Sequence, residues 1–469
     1  MKGDGTSGGS GGRASGLSVW SWVIYDFSNT IFSISILSYF FPLWFGGEMG
    51  AGGNVYNYLA AFSAFMVVLT APVLGAVADL KQRRRPYLVI FTLLAVAFTA
   101  GLGLVGSISG AAAMLVVAAV FFVAAQVAYQ SALVFYYALL PGVAAGRGTG
   151  RISGYGTGVG YAGAIVALLA LTFFVSEQSL FGLTFGGPEA ARSTLGPLGG
   201  WIDVSGETSS NAFLPTAALF LIFSLPAFFF VPDRVVREPR PVRLAEVYRG
   251  VFSTARSMRA YAGLGVFMIS TLLYTDAANA AINNMGLYGR EVFEMDGSQT
   301  RNLLLFSTVF AGVGSVAFGL ASDRVGPKKT LVSVLLLWLV SISLAVVATA
   351  PWMLFMAGPL VGSALGGTWT VSRAMLLALS PPERVGEFFG IYVLTDKLSA
   401  VLGPVVIASV LTALEGYGTL SYRVAIGSLI PIMALGLFLL LRVPDVRPDP
   451  KLDATAPEAA AEGTAGPTR

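Results

Sequence analysis

The chain has 469 residues, 55% hydrophobic and 12% charged, with a formal net charge of +4. Soluble domains carry about 25% charged residues, so a soluble globular fold is excluded. With no cysteine and no histidine, disulfides and thiol chemistry are excluded as well. The missing imidazole argues against zinc or haem, so no cofactor or metal is expected and any proton movement falls to carboxylates.

Residues 1–18 are rich in Gly and Ser and lack an apolar signal core. They predict a disordered leader. Apolar runs then recur at 19–45, 56–79, 86–106, 111–140, 150–175, 211–231, 260–288, 299–321, 329–349, 352–379, 387–413 and 420–441. About 20 such residues cross a bilayer. The expected fold class is all-α integral membrane: twelve transmembrane helices in two pseudo-symmetric six-helix bundles, 19–231 and 259–442.

Lys81, Arg83, Arg84, Arg85, Arg147, the run from Arg234 to Arg259, Arg324, Lys328, Lys329 and Arg384 all fall in one set of loops. Cytoplasmic loops carry such an excess. Both termini are therefore expected in the cytoplasm, with a bacterial inner membrane as the location. The basic surplus is read as topology and not as nucleic-acid binding. The longest loop on the other side, 176–210, reads as a flexible excursion. In the linker 232–258, Leu244, Val247, Tyr248, Val251, Phe252 and Ala255 recur at helical spacing. They fit an amphipathic helix at the membrane surface or a solvated linker helix. Residues 443–469 predict a disordered tail.

Three features repeat between the halves. Asp26-x-x-Asn29 recurs as Asp276-x-x-Asn279, Gly75-x-x-x-Asp79 as Gly319-x-x-x-Asp323, and Leu140-Pro141 as Ser380-Pro381, at offsets of 250, 244 and 240. Two copies in one orientation fit a pseudo-two-fold axis along the membrane normal. Asp26, Asn29 and Ser33 share one helix face, as do Asp276, Asn279 and Asn283. An intramembrane acid costs roughly 2.5–3.5 kcal/mol on insertion scales and is a functional-site hypothesis by default. Both stripes are expected to face a central cavity, with interhelical clamping as the alternative for the amides.

The segments from Gly75 to Arg85 and from Gly319 to Lys329 resemble the cytoplasmic gating motif of the major facilitator superfamily. The first copy departs from it, with Gln82 where a glycine is common. Within that superfamily, Tyr25-Asp26-Phe27-Ser28-Asn29, Phe40-Phe41-Pro42, Gly160-Tyr161-Ala162-Gly163, Ser372-Arg373, Glu387-Phe388-Phe389-Gly390 and the run from Lys397 to Pro404 resemble the vacuole-effluxer-like group related to autophagy-linked amino-acid exporters. The resemblance implies export of a small solute, amino-acid-like, by a single chain.

Further candidates carry two readings each. Arg373 and Asp396 are placed to form an ion pair, with Lys397 turned about 100° away. Arg373 or Lys397 could bind a substrate carboxylate, or the pair could be a fixed salt bridge. Gln126 and Gln130 could line the cavity or pack between helices. The glycines from Gly154 to Gly163 read as helix packing. At the basic face, Asp79 and Asp323, with Arg84, Arg324 and Lys328, could close a gate by bonding a neighbouring helix N-terminus or an arginine of the other half.

No G-x-x-x-x-G-K-[ST] loop is present, which argues against ATP drive. No nucleophile–base arrangement suggests an enzyme. The expected function is secondary transport by alternating access, with protons as the coupling ion through the intramembrane aspartates. A drug, amphipath or sugar exporter of the same fold, or a non-transporting sensor or scaffold, is the alternative.

Overall fold

A computed structural model describes residues 14–51, 53–81, 83–175, 177–180, 183–186, 209–233, 263–295, 297–381, 384–399 and 402–446. The leader through residue 13, the linker helix expected within 232–258 and the tail beyond 446 lie outside these residues, apart from Pro232 and Asp233.

The described helices make twelve passes. The first, α1, begins at Gly16 with Ser15 accepting from the Ser18 N–H at 3.1 Å. It runs α-helical over Gly16–Phe32, then as wider π-turns over Ser33–Tyr39, α over Phe40–Pro42 and π over Leu43–Glu48. Pro42 supplies the cause. It has no N–H and its ring collides with the carbonyl four residues back, so the turns widen. The Phe40 N–H bonds the Ser35 carbonyl, five residues behind.

There follow α2 (Gly53–Lys81), α3 (Arg85–Leu104), α4 (Ala111–Ala144), α5 (Thr149–Thr172) and α6 (Phe213–Phe230). The second half holds α7 (Leu264–Phe293), α8 (Gly297–Val325), α9 (Pro327–Val347), α10 (Pro351–Leu379), α11 (Val385–Leu398, resumed at Leu402–Ala413) and α12 (Thr419–Gly427 and Leu429–Leu441). Pro404 lies just inside the point where α11 restarts. Pro431 cannot bond the Gly427 carbonyl, so α12 bends there. Ten passes, the bent α12 among them, are long and apolar enough to cross a membrane; α1, with its π-turns, and the two-part α11 are the others. The 176–210 loop carries a short hairpin, β1 (Glu177–Leu180) antiparallel to β2 (Leu183–Gly186).

Each half has its own apolar core. One is built from residues between Val19 and Val231 around Trp22, Phe41, Phe122 and Tyr136. The other lies between Leu264 and Val443 around Tyr274, Trp338 and Phe389. Large apolar side chains such as Phe62, Val116, Phe229 and Val313 are exposed on the outside, as a lipid-facing surface requires. The halves meet where α5 crosses α8 and α2 crosses α11, with α5–α10 and α4–α11 beside them. These crossings are tight at the end that carries the basic loops. A Cβ on Gly154 would come 2.6 Å from the Ser315 carbonyl, so only glycine permits that approach.

The glycines of α5 form two stripes. Gly154 and Gly158 meet α8, while Gly156, Gly160 and Gly163 meet α1.

Candidate functional site

Hydrogen bonds fix the rotation of α1. Trp22 Nε1 donates to the Tyr136 carbonyl at 3.1 Å and its ring stacks on Tyr136 at 4.4 Å. The Tyr25 hydroxyl bonds Thr92 at 2.7 Å, and Ser28 bonds Ser224 at 3.0 Å. These ties face α3, α4 and α6. They leave the opposite stripe, Asp26, Asn29 and Ser33, turned toward a cavity of about 430 Å³ between the halves. That cavity also takes Gln130, Tyr129 and Tyr137 from α4, Thr157 and Tyr161 from α5, Asn279 from α7, Trp369 and Arg373 from α10, and Tyr392 and Asp396 from α11.

Water reaches it from one side. Along α1, among residues that line the cavity, exposure rises from buried Asp26 through half-buried Ser33 to exposed Ser38, and half-buried Asn279 of α7 lines it too. Both helices run away from the basic face. The chain is therefore closed at its basic face and open at the other.

At the closed end of the cavity, Arg373 Nη1 lies 3.6 Å from Asp26 Oδ2, joining α10 of one half to α1 of the other. Both are buried, at 5% and 8% exposure. Arg373 is held by three further contacts. Its Nε donates to the Trp369 carbonyl at 3.0 Å, its Nη2 donates to Thr157 Oγ1, and its guanidinium lies 5.2 Å over the Tyr137 ring. Asp26 approaches α5 because Gly156 and Gly160 stand opposite it.

The pair is looser than a structural bridge. Arg384 and Glu387 bond twice, at 2.8 and 3.0 Å, whereas Asp26 Oδ2 and Arg373 Nη1 make no hydrogen bond within the protein. A buried cation and a buried anion thus each keep one unbonded atom, Nη1 and Oδ2, facing the other at 3.6 Å and closed off from the open space of the cavity.

Several sequence expectations need correction. Arg373 pairs with Asp26, not with Asp396, although Asp396 does line the cavity. Asp276 is 0% exposed and does not line it. It sits against Gly403 of α11, where a Cβ would come 3.1 Å from its Oδ2. Asn283 is exposed and also outside the lining. Gln126 accepts from Ser63 Oγ at 2.6 Å, tying α4 to α2. The Lys397 side chain lies outside the described residues. Sequence reading passed over Thr157, Trp369 and Tyr392. Trp369 and Tyr392 precede Arg373 and Asp396 by one helical turn, which was the available signal.

At the basic face, Asp323 of α8 accepts from the N–H groups of Gly150 at 2.8 Å and Arg151 at 2.9 Å, at the first turn of α5 in the other half. Arg151 Nε lies 4.0 Å away. Gly148 takes φ +88° beside this carboxylate, and a side chain there would fill its place. In the mirrored position, Gly75 of α2 packs on the Gly386 and Glu387 backbone of α11; the Asp79 side chain lies outside the described residues.

Two of the expected basic partners bond within their own halves. The Arg84 N–H donates to Asp233 at 2.9 Å and its side chain to the Ala138 carbonyl, both in its own half. Lys328 donates to the Leu441 carbonyl at 2.9 Å, closing the end of α12, and Arg324 is exposed. Among the described residues no three Asp or Glu side chains gather as a metal site would require.

Residues 146–449 match the family described as "Vacuole effluxer Atg22 like". An uncharacterized MFS-type transporter of Bacillus subtilis, YxiO, is 26% identical over 433 residues, covering 91% of this chain and 94% of its own. Autophagy-related protein 22-1 of Neosartorya fischeri is 22% identical over 62% of this chain, which spans 48% of that relative. Multidrug resistance protein MdtG of Dickeya zeae is 26% identical over 53%. Among solved structures, a bacterial homologue of the iron transporter ferroportin, in an outward-facing state, matches with a TM-score of 0.64 at 15% identity, covering 91% of this chain and 98% of its own. The fucose transporter FucP in an outward conformation matches at 0.66 and 13% identity, covering 91% and 98%. At these identities the structural likeness concerns the fold.

Proposed function

The chain belongs to the vacuole effluxer Atg22-like family of major facilitator transporters, and from that premise we propose that it exports a small amino-acid-like solute in exchange for protons. The observation that carries this reading is the loose Asp26–Arg373 pair at the closed end of the cavity. An amphoteric solute offers a carboxylate to Arg373 and an ammonium to Asp26, so it can separate the pair and take a place on each charge. Asn29, Gln130 and Asn279 line the same space as uncharged donors and acceptors. A volume of about 430 Å³ lies toward the small end of ligand pockets, which run from roughly 300 to 1,000 Å³.

Proton exchange follows from competition at one carboxylate. With the basic face open, solute takes the ionised Asp26. With that face closed and the other side wet, a proton on Asp26 removes its charge and the solute leaves. One charge moving through 100 mV supplies about 2.3 kcal/mol, roughly a 50-fold gradient. Bonds from Asp323 to the start of α5 hold the basic face shut, and their release favours the other state. The positive-inside pattern puts that face, and both chain ends, in the cytoplasm.

Proteoliposomes test this with a panel of amino acids. The expected result is trans-stimulated exchange for at least one of them, and flux accelerated by an opposing proton gradient. No trans-stimulation by any amino acid overturns the reading. The aromatic walls of Tyr129, Tyr137, Tyr161, Trp369 and Tyr392, with the MdtG likeness, support a second reading as an exporter of amphipathic drugs. A cationic amphipath that is exchanged while every amino acid is not would select it.

A further inference from the structure

A second recess, of about 280 Å³, lies at the basic end of the chain between α1 and α5, outside the transport cavity. Its walls carry two arginines and two aromatic rings: Arg147, Arg151, Trp20 and Tyr155. The rings are parallel, 6.2 Å apart. Trp20 is 53% exposed and Leu17, one turn before it, 57%. An exposed Trp and Leu at the end of a membrane helix mark the level where acyl chains meet headgroups. The arginines sit on the water side of that level. Arg147 Nε donates to the Ala14 carbonyl at 3.0 Å and Arg151 Nε to the Arg147 carbonyl at 2.9 Å, which sets the two guanidinium groups on neighbouring turns.

We propose that this recess holds the phosphate of an anionic phospholipid headgroup, and that the bound lipid loosens the Asp323 contact. Basic pockets between helices on the cytoplasmic side suit such headgroups. The bilayer is favoured over a soluble anion as the source because one wall of the recess faces the apolar surface. The link to the gate is Arg151. It belongs to the recess and also lies 4.0 Å from Asp323. A phosphate on Arg151 competes with the carboxylate for its charge and places a second anion beside it. Anionic lipid therefore favours opening of the basic face.

Native mass spectrometry of the full chain, extracted from vesicles of phosphatidylglycerol and phosphatidylcholine in equal parts, reads the binding. The expected result is preferential retention of phosphatidylglycerol, lowered about fivefold in Arg147→Gln and kept in Arg147→Lys. Equal retention of both lipids, or an Arg147→Gln variant that retains phosphatidylglycerol like the parent, overturns the site. Displacement by millimolar inorganic phosphate overturns the lipid source.

The gate has a separate readout. The chain has no cysteine, and Ser153 is buried at the closed face, where it bonds the Thr370 carbonyl at 3.0 Å. Labelling of Ser153→Cys from the basic side should speed up with phosphatidylglycerol content, and Arg147→Gln should remove that dependence. Flat labelling overturns the coupling. The gating half rests on the transport reading, whereas lipid retention is measured without flux, so the two can fail separately.

Discussion

Asp26 and Asp276 occupy matching places in the two halves, yet only one of them reaches the cavity. Their near surroundings are alike. Asp26 lies against Gly156 of α5, and Asp276 against Gly403 of α11. The difference comes from across the molecule. At the offset of 240 that relates the proline-ended spans α4 and α10, Arg373 matches Leu133. So α10 places a buried cation beside Asp26, whereas the matching place on α4 is apolar. A sequence repeat preserves which residue stands where on its own helix. The facing helix decides what that residue does.

Removing the cation should break this comparison most severely. Arg373→Leu makes α10 resemble α4 and leaves the Asp26 carboxylate buried without its partner, a loss of roughly 3–5 kcal/mol for such pairs. Thermal unfolding in detergent should show it, and flux should be lost. Adding Asp26→Asn should restore much of the stability but not the flux. If the double variant is no more stable than Arg373→Leu alone, the two charges are not energetically coupled.

A smaller effect is expected at the gate. Asp323→Ala removes two hydrogen bonds across the halves, each worth about 0.5–1.5 kcal/mol at this exposed face. Labelling of Ser153→Cys from the basic side should then accelerate. An unchanged rate would mean that glycine-mediated packing of α5 on α8 alone holds the face shut.

The smallest effect is expected behind the cavity wall. Gln126→Leu loses the bond from Ser63, about 0.5–1.5 kcal/mol of stability, with solute exchange unchanged. Loss of exchange with full stability would return Gln126 to the site.

Much of the architecture was legible because it depends on local rules. Apolar length set the spans, and the Asp-x-x-Asn spacing set one face of α1. The interruptions at Pro42, Pro404 and Pro431 were present as residues, but their outcome depended on neighbours. The Arg373 partner was not legible. Depth along α10 and α11 allowed Asp396, but depth says nothing about which way each helix is rotated. Bonds such as Trp22 to Tyr136 and Tyr274 to Ser372, the latter at 2.7 Å, set that rotation across long sequence separations. Gln126 and Gln130 make the same point, since one turn of helix divides a packing residue from a cavity residue.

The most direct measurement is solute counterflow in proteoliposomes from pH 5.5 to 8, comparing the parent with Asp26→Asn and Asp276→Asn. The account predicts that exchange by Asp26→Asn no longer varies with pH, while Asp276→Asn keeps the parent's profile. A pH-independent Asp276→Asn beside a normal Asp26→Asn would contradict it.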